Sequence, residues 1–226
     1  MAAPRFVFPA ETLGFLRDLR GHNDKAWFDA NRDRYEEGYV EPAKAFVRAI
    51  APALDELVPG IAAEPRVNGS IFRINRDIRF SKDKTPYKDH LDLWFWEGDR
   101  KTATSGLFLR IAPDAVTVGA GAHGFDRDRL ACYRTAVTAP DSGDQLTSIV
   151  AALDRAGHDV GGAAYARTPR GFTPTPDQDR LLRHNALHAH AELPADLALD
   201  PELTSTLLGH WRAFVPLHRW LEANVA

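Results

Sequence analysis

The chain has 226 residues, of which 44% are hydrophobic and 26% charged, a composition typical of a folded globular protein rather than a disordered one. Its formal net charge of -3 gives no overall attraction to nucleic acid or to an anionic membrane surface. The single cysteine, Cys132, excludes an intramolecular disulfide and a cysteine-rich zinc site.

The sequence carries none of the usual signals for export or membrane insertion. Charged residues are spread through its beginning, which therefore lacks the apolar core of a secretory signal. No stretch approaches the roughly 18 consecutive apolar residues of a membrane span. Together with the lone cysteine, these features predict a cytoplasmic protein without membrane partners.

The first part of the chain, residues 10–60, is predicted to be helical. Apolar residues recur there at helical spacing, and Asn23 or Asp24 is suited to cap a helix. Pro42 fits the first turn of a further helix, which Pro52 is expected to kink.

The centre of the chain changes to the alternation of apolar and polar residues that indicates strands. Turn-forming residues separate the candidate strands, which favours an antiparallel meander. The predicted strands are residues 67–75, 91–97, 107–111 and 116–118.

Residues 126–226 are predicted to be mainly helical again. Asp126 should cap one helix and Asp141 or Ser142 the next. A short strand is expected at 163–167, followed by helices at 177–187 and from Pro201 to the end, interrupted by Pro216. Helices, then strands, then helices predict one α+β domain over residues 1–226, with an antiparallel sheet of about four to five strands and a basic loop within 66–122.

A basic segment interrupts this otherwise acidic chain. Residues 66–92 contain seven basic and four acidic residues, a net charge of +3, so the rest of the chain carries -6. Arginine can grip a phosphate or carboxylate with two hydrogen bonds, and lysine adds a point charge. The residues proposed to bind such an anion are Arg73, Arg76, Arg79, Lys84 and Lys88, with Arg134 and Arg167 as contributors from other elements. The alternative is a salt-bridged loop in which Asp77, Asp83 and Asp89 pair with these cations.

The run Arg73–Lys88, RINRDIRFSKDKTPYK, resembles the signature of the domain of unknown function 2461. The resemblance extends upstream and downstream and covers nearly the whole chain. Its other landmarks are Asn23, Trp27, Phe28, Asn31, Tyr35, Gly119, Gly121, Arg134 and Arg167–Gly171. Membership would imply a single α+β domain in a bacterial-type protein, and it implies no reaction.

Three hypotheses for function follow from the basic segment. In the first, the chain binds a small anion, and if it is an enzyme, Asp77 or His90 is the general base and Tyr87 an acid or hydrogen-bond donor. In the second, it binds nucleic acid with Tyr87, Phe80 and Trp96 as stacking groups, although the acidic remainder argues against a long track. In the third, a scaffold protein docks an acidic peptide on the loop.

Other motifs predict no cofactor or metal. Gly119–Gly124 matches the dinucleotide pattern G-x-G-x-x-G, but no parallel strand follows, so a close backbone approach explains it better. His184 and His188 would share a helix face, whereas His190 would not join them, which leaves no set of three metal ligands. Cys132 is expected in the core.

Overall fold

A computed structural model describes residues 4–225, and in it helices flank a five-stranded antiparallel sheet. The helices are α1 (Ala10–Gly21), α2 (Lys25–Ala30), α3 (Arg32–Tyr35), α4 (Glu41–Leu57), α5 (Arg127–Thr138), α6 (Pro140–Arg155), α7 (Pro176–Leu182) and α8 (Leu203–Val225), with a π-helical turn at Glu36–Val40 and a 3-10 turn at Ala195–Leu199. The strands are β1 (Leu91–Trp96), β2 (Gly106–Ile111), β3 (Ala115–Ala122), β4 (Asp159–Ala163) and β5 (His184–Pro194), in the order β1-β2-β3-β5-β4. The predicted α+β class is confirmed.

The chain divides into two compact units, each built from separate stretches of sequence. The first unit contains the chain up to Phe95 together with Phe108–Val118 and Glu192–Leu208. The second contains Trp96–Leu107, Gly119–Ala191 and the chain from Gly209 onward. The expectation of a single domain stays a prediction.

In the first unit, α4 forms because its apolar residues recur on one helical face. Phe46, Val47, Ile50 and Leu54 are all buried there, and Pro52 lies inside the helix. Helix α2 begins where the carboxylate of Asp24 accepts a hydrogen bond from the backbone N–H of Trp27, which confirms one of the two predicted caps.

In the second unit, α8 presents a buried face carrying Trp211, Phe214 and Leu221. The indole N–H of Trp211 donates to the carbonyl oxygen of Gly119 at 3.2 Å, so the polar tip of this buried ring is satisfied. The predicted interruption at Pro216 is wrong, because α8 continues through it. Proline removes one backbone hydrogen bond, and burial of the residues on either side outweighs that loss.

The predicted strand at residues 67–75 is wrong. Only isolated bridges occur there, and Asn68 has a left-handed φ of 63° that turns the chain. The N–H groups of Gly69 and Ile71 both donate to the nearby carbonyl of Arg66 rather than to a neighbouring strand. The alternation of apolar and polar residues in this segment therefore reflects a tight turn that has one side buried, and not a strand.

The predicted helix at 177–187 is also wrong in its second half. Helix α7 ends at Leu182, and β5 begins at His184. β5 pairs antiparallel with β4, with Asp159 opposite His190 and Gly161 opposite His188, so the strand predicted at 163–167 lies earlier.

Smaller corrections concern the next cap and the cysteine. Helix α6 begins at Pro140, with Ala139 rather than Asp141 or Ser142 at the N-cap. Cys132 is exposed and not in the core.

The glycine-rich end of β3 shows a close backbone approach, as expected. Gly121 has a φ of 132°, and a Cβ added there would lie 2.3 Å from the carbonyl oxygen of Leu187. Only glycine combines that backbone conformation with so short a distance to the neighbouring chain. Asp126 caps the following helix as predicted, accepting from the backbone N–H groups of Asp128 and Arg129.

Candidate functional site

The basic segment forms a loop, residues 77–85, that closes on a short paired neck; we call it the basic loop. Asn75 and Tyr87 form an antiparallel bridge at the neck. On either side of it, the N–H of Arg76 donates to the carbonyl of Pro86 and the N–H of Lys88 to that of Ile74, both at 2.8 Å. This pairing fixes where the loop leaves and re-enters the body of the first unit.

The neck is fastened to the start of α2 by Asn23. Its side-chain amide donates to the carbonyl of Tyr87 at 2.9 Å, and its side-chain oxygen accepts from the N–H of Tyr87 at 3.0 Å. The Tyr87 ring stacks on Phe28 with ring centroids 4.1 Å apart and is only 7% exposed. Tyr87, a proposed acid or donor, is thus placed in the core that supports the loop.

Two ion pairs account for the acidic residues of the basic loop, one of them made by Arg76 of the neck. Arg76 binds Asp83 and the hydroxyl of Thr85, and Arg79 binds Asp77 through Nε at 2.9 Å and Nη2 at 2.6 Å. Hydrogen bonds from the backbone of Thr85 and from Arg76 lower the pKa of Asp83 to about 2. The Arg79 side chain likewise lowers the pKa of Asp77, which makes this candidate base a weaker one.

Three basic side chains are left over once these pairs are made. Arg73, Lys82 and Lys84 are exposed, and within residues 4–225 none of them forms an ion pair. The Lys84 ammonium instead donates to the neutral carbonyl of Ile78 at 2.9 Å. The loop and its neck therefore carry a surplus of about three positive charges exposed to solvent.

Lys88 belongs to a separate group of charges centred on Asp92, which we call the Asp92 cluster. The Asp92 carboxylate accepts from Lys88 Nζ at 3.2 Å and from Arg110 Nε at 2.7 Å, and His90 Nε2 lies 3.2 Å away. Its side chain is 16% exposed. Burial raises the pKa of Asp92, but the hydrogen bonds from His90 and Arg110 outweigh that effect, and the pKa lies well below its ordinary value. In this cluster the converging cations already hold an anion, the carboxylate itself.

His90 connects the Asp92 cluster to a second carboxylate. Its Nδ1 lies 3.1 Å from Asp89, which also accepts from Arg20 Nε at 2.6 Å. Arg20 in turn forms two hydrogen bonds to Asp114. Both ring nitrogens of His90 are engaged, so acting as a general base would require one of these contacts to break.

The two arginines proposed from other elements lie in the second unit. The Arg134 guanidinium lies over the Tyr165 ring, 5.3 Å from its centroid. Arg167 is exposed.

Sequence reasoning did not predict Arg20, Asp92 and Arg110 as a network. Arg20 and Asp89 are 69 residues apart, so no local spacing signals their contact. Asp92 and Arg110 were detectable in principle, because each is a lone charge within an apolar strand, and β1 and β2 are neighbours in the sheet. Opposite charges in neighbouring strands are suited to cross-strand pairing.

The histidines predicted to lie on a helix lie on the strand β5. His184, His188 and His190 all lie on β5, where the helical spacing that excluded His190 does not apply, and the ring centroids of His188 and His190 are 5.9 Å apart. Burial and the neighbouring His123, His190 and His184 lower the pKa of His188 to about 4. Across the described residues 4–225, no group of three His, Cys, Asp or Glu side chains is placed to hold a metal ion. No helix in that part of the chain is both long and apolar enough to cross a membrane.

The fold is α+β, and the first unit carries a basic loop on a short paired neck. A family model described as "Conserved hypothetical protein (DUF2461)" matches residues 11–220, and the chain belongs to this family. A comparison with curated proteins gives no match.

Proposed function

We propose that the protein binds a small phosphate- or carboxylate-bearing ligand on the basic loop. The observation that carries this proposal is the charge surplus: Arg73, Lys82 and Lys84 are exposed and form no ion pair within residues 4–225, although the charge of Arg73 also acts on Asp77. Lys82 and Lys84 lie on one short loop and Arg73 lies just before its neck, so these positive charges are concentrated in one short segment of the chain. At physiological salt their field fades within roughly 8 Å, which suits a small ligand.

The internal ion pairs support the same proposal by shaping the loop. Arg76 and Asp83 tie its two ends together, and Lys84 is held by the carbonyl of Ile78. A loop held in this way presents its free cations at low entropic cost, which favours binding.

Binding, rather than catalysis, is what these contacts favour. Asp77 is already paired with Arg79, Tyr87 is buried, and both nitrogens of His90 are occupied. If the ligand is also a substrate, Asp77 is the proposed base, because it lies on the loop itself.

A second candidate function is nucleic-acid binding by the same loop. Of the three proposed stacking groups, Tyr87 and Trp96 are buried, and Phe80 is 95% exposed. One stacking group does not make the extended platform of a general single-strand binder. A scaffold role without a small ligand would leave the charge surplus for an acidic peptide.

We place the protein in the cytoplasm, on the basis of its lone cysteine.

The proposal is tested by titrating the protein with inorganic phosphate at low ionic strength and measuring binding by calorimetry. Lys82→Ala and Arg73→Ala should each weaken binding by about two- to five-fold, the size expected for one exposed charge. Neither side chain forms an ion pair with any described residue, so both variants should fold as the wild type does.

The matched control is Lys101→Ala, which removes an exposed lysine outside the loop. It should leave phosphate binding unchanged. Equal weakening in all three variants would mean that overall charge, and not this loop, attracts the anion.

A further inference from the structure

Phe80 is the most exposed large apolar side chain in the described part of the chain. It is 95% exposed, whereas the next such residues, Val7 and Tyr165, are 44% and 42% exposed. A phenylalanine side chain left in water forgoes the stabilisation that burial would give. A position of this kind is typical of a contact surface.

The loop holds Phe80 outward by ordered contacts on both sides. Its neighbour Arg79 is fixed by Asp77, and the guanidinium of Arg79 lies 5.8 Å from the centroid of the Phe80 ring. On the other side, the N–H of Ser81 donates to the carbonyl of Ile78, the same carbonyl that accepts from Lys84. The ring is therefore presented on a structured tip that also carries Lys82 and Lys84.

We propose that the ligand of the basic loop is a nucleotide, with its base stacked on Phe80 and its phosphate held by the neighbouring cations. This inference rests on the proposed function and adds a second requirement to it, a planar ring joined to the anion. Lys82 and Phe80 are two residues apart on one tip, which suits a ligand whose ring and phosphate are separated by a sugar. Stacking on an aromatic side chain tolerates any base, because every base has a flat face.

The composition of the tip argues against the obvious rival, an anionic membrane. Phe80 is the single large apolar side chain exposed there, and Asp77 and Asp83 lie within three residues of it. A membrane-binding loop gains from several apolar side chains and loses from carboxylates at an anionic surface. A nucleotide needs one ring and a few cations, which is what the loop offers.

The test is a set of titrations by calorimetry or NMR with inorganic phosphate, ribose 5-phosphate, adenosine and adenosine monophosphate. Wild-type protein should bind adenosine monophosphate about ten-fold more tightly than ribose 5-phosphate, within the range measured for base stacking on aromatic side chains. Phe80→Ala should remove that difference and leave ribose 5-phosphate binding unchanged. Phe80→Tyr should preserve it. Lys82→Ala should weaken both phosphates and leave their ratio unchanged.

The nucleotide could be a free molecule or part of a single strand, and titration with a short adenine oligonucleotide distinguishes the two. Tighter binding of the oligonucleotide, with a steep dependence on salt, assigns the site to single strands, and equal or weaker binding assigns it to free nucleotides. Either result supports the proposal.

Other results overturn it. Equal affinity for ribose 5-phosphate and adenosine monophosphate rejects the ring requirement, while the proposed anion site stands. No binding of any of the phosphates rejects both proposals. Phe80-dependent binding to phosphatidylserine vesicles, with no preference for adenosine monophosphate, assigns the loop to a membrane surface instead.

Discussion

His90 in the first unit and His218 in the second both have two ring nitrogens close to oxygen atoms, but their partners and surroundings differ. His90 is partly exposed and lies between the carboxylates of Asp89 and Asp92. His218 is fully buried, with Nδ1 2.9 Å from the hydroxyl of Ser105 and Nε2 2.7 Å from the carboxylate of Glu97.

The hydrogen-bond partners determine how many N–H groups each ring needs. Two carboxylates only accept, so both contacts of His90 are hydrogen bonds only when the ring carries two N–H groups and a positive charge. A hydroxyl can donate, so His218 satisfies both contacts as a neutral ring, with Nε2–H donating to Glu97 and Nδ1 accepting from Ser105. Burial lowers the pKa of His218 despite the opposing pull of Glu97, which agrees with a neutral ring. His90 thus lies between two carboxylates at a partly exposed position, whereas His218 connects a hydroxyl and a carboxylate within a core.

Ser105, His218 and Glu97 are the residue types of a hydrolase catalytic triad, but here they are not accessible to a substrate. Ser105 is buried, and its backbone N–H donates to Glu222 at 2.9 Å. A nucleophile must reach a substrate, and its hydroxyl must be served by a base. Burial therefore assigns Ser105, His218 and Glu97 to stability.

The largest effect should come from His218→Leu. The change leaves the buried hydroxyl of Ser105 without its partner and puts an apolar side chain against Glu97, which keeps only Arg219 among the described residues. The free energy of unfolding should therefore fall by about 3 kcal/mol. Urea denaturation measures it. His90→Leu is the comparison and should cost clearly less, since Asp89 keeps Arg20 and Asp92 keeps Lys88 and Arg110 as partners. Equal losses would contradict the distinction drawn between the two rings.

Next in size is Asp92→Asn, which removes the anion on which Lys88, His90 and Arg110 converge. We expect a loss of about 2 kcal/mol in the free energy of unfolding, because three donors lose a largely buried charged acceptor. Asp114→Asn, at a carboxylate that is 67% exposed, should cost no more than about 0.5 kcal/mol. A similar loss in both variants would show that the Asp92 cluster behaves as surface charge.

Acid should destabilise the two regions in different pH windows. The pKa of His218 is lowered and that of His188 is lowered to about 4 from 6.5, so the unfolded chain binds more protons and stability falls as the pH drops below 6.5. The pKa values of Asp89 and Asp92 are also lowered from 3.8, so their contribution is lost only as the pH falls below that value.

We expect the loss in the upper window to be on the order of 1–2 kcal/mol, after allowing for the partial exposure of His188. Urea denaturation at a series of pH values measures it. The loss between pH 6.5 and 4 should shrink in a His188→Gln variant and persist in Asp92→Asn. A loss that persists in His188→Gln and shrinks in Asp92→Asn would mean that the groups sensitive to acid in this window lie in the first unit.

The smallest effect concerns Ser105→Ala, which removes the donor to His218. Because His218 keeps its bond to Glu97, we expect a loss of about 1 kcal/mol in unfolding free energy. Ser81→Ala, on the basic loop, is the matched control and should change stability by less than about 0.5 kcal/mol. Comparable values for the two serines would mean that the Ser105 contact is not formed in solution.

Local patterns predicted much of the fold, and their failures have physical causes. β1 and β2 were found because their alternation is real, with one side of each strand packed inward. Residues 67–75 alternate as well, but Asn68 and Gly69 turn the chain back on itself. β5 was missed because its alanines and leucines suggest a helix, although the His-Ala-His-Ala run beginning at His188 has strand periodicity.

The candidate site was predictable only in its composition. The basic residues and their possible internal pairing with Asp77 and Asp83 could be inferred from nearness in sequence. The Asp92 cluster and the contacts of Arg20 depend on which strands and helices meet, which tertiary packing decides. Arg110 and Asp92, for example, meet across 18 residues through the pairing of β1 with β2.

Because Asn23 holds the neck of the basic loop, the loop cannot be expected to keep its conformation outside this protein. Asn23 and Tyr87 are 64 residues apart, and the ring under Tyr87 also comes from α2. A synthetic peptide of residues 70–92 would contain every cation of the loop and neither of these supports. Such a peptide would imitate the charge of the site without its shape, and a loop grafted into another protein would need a second graft, of the segment around Asn23 and Phe28, to fold as it does here.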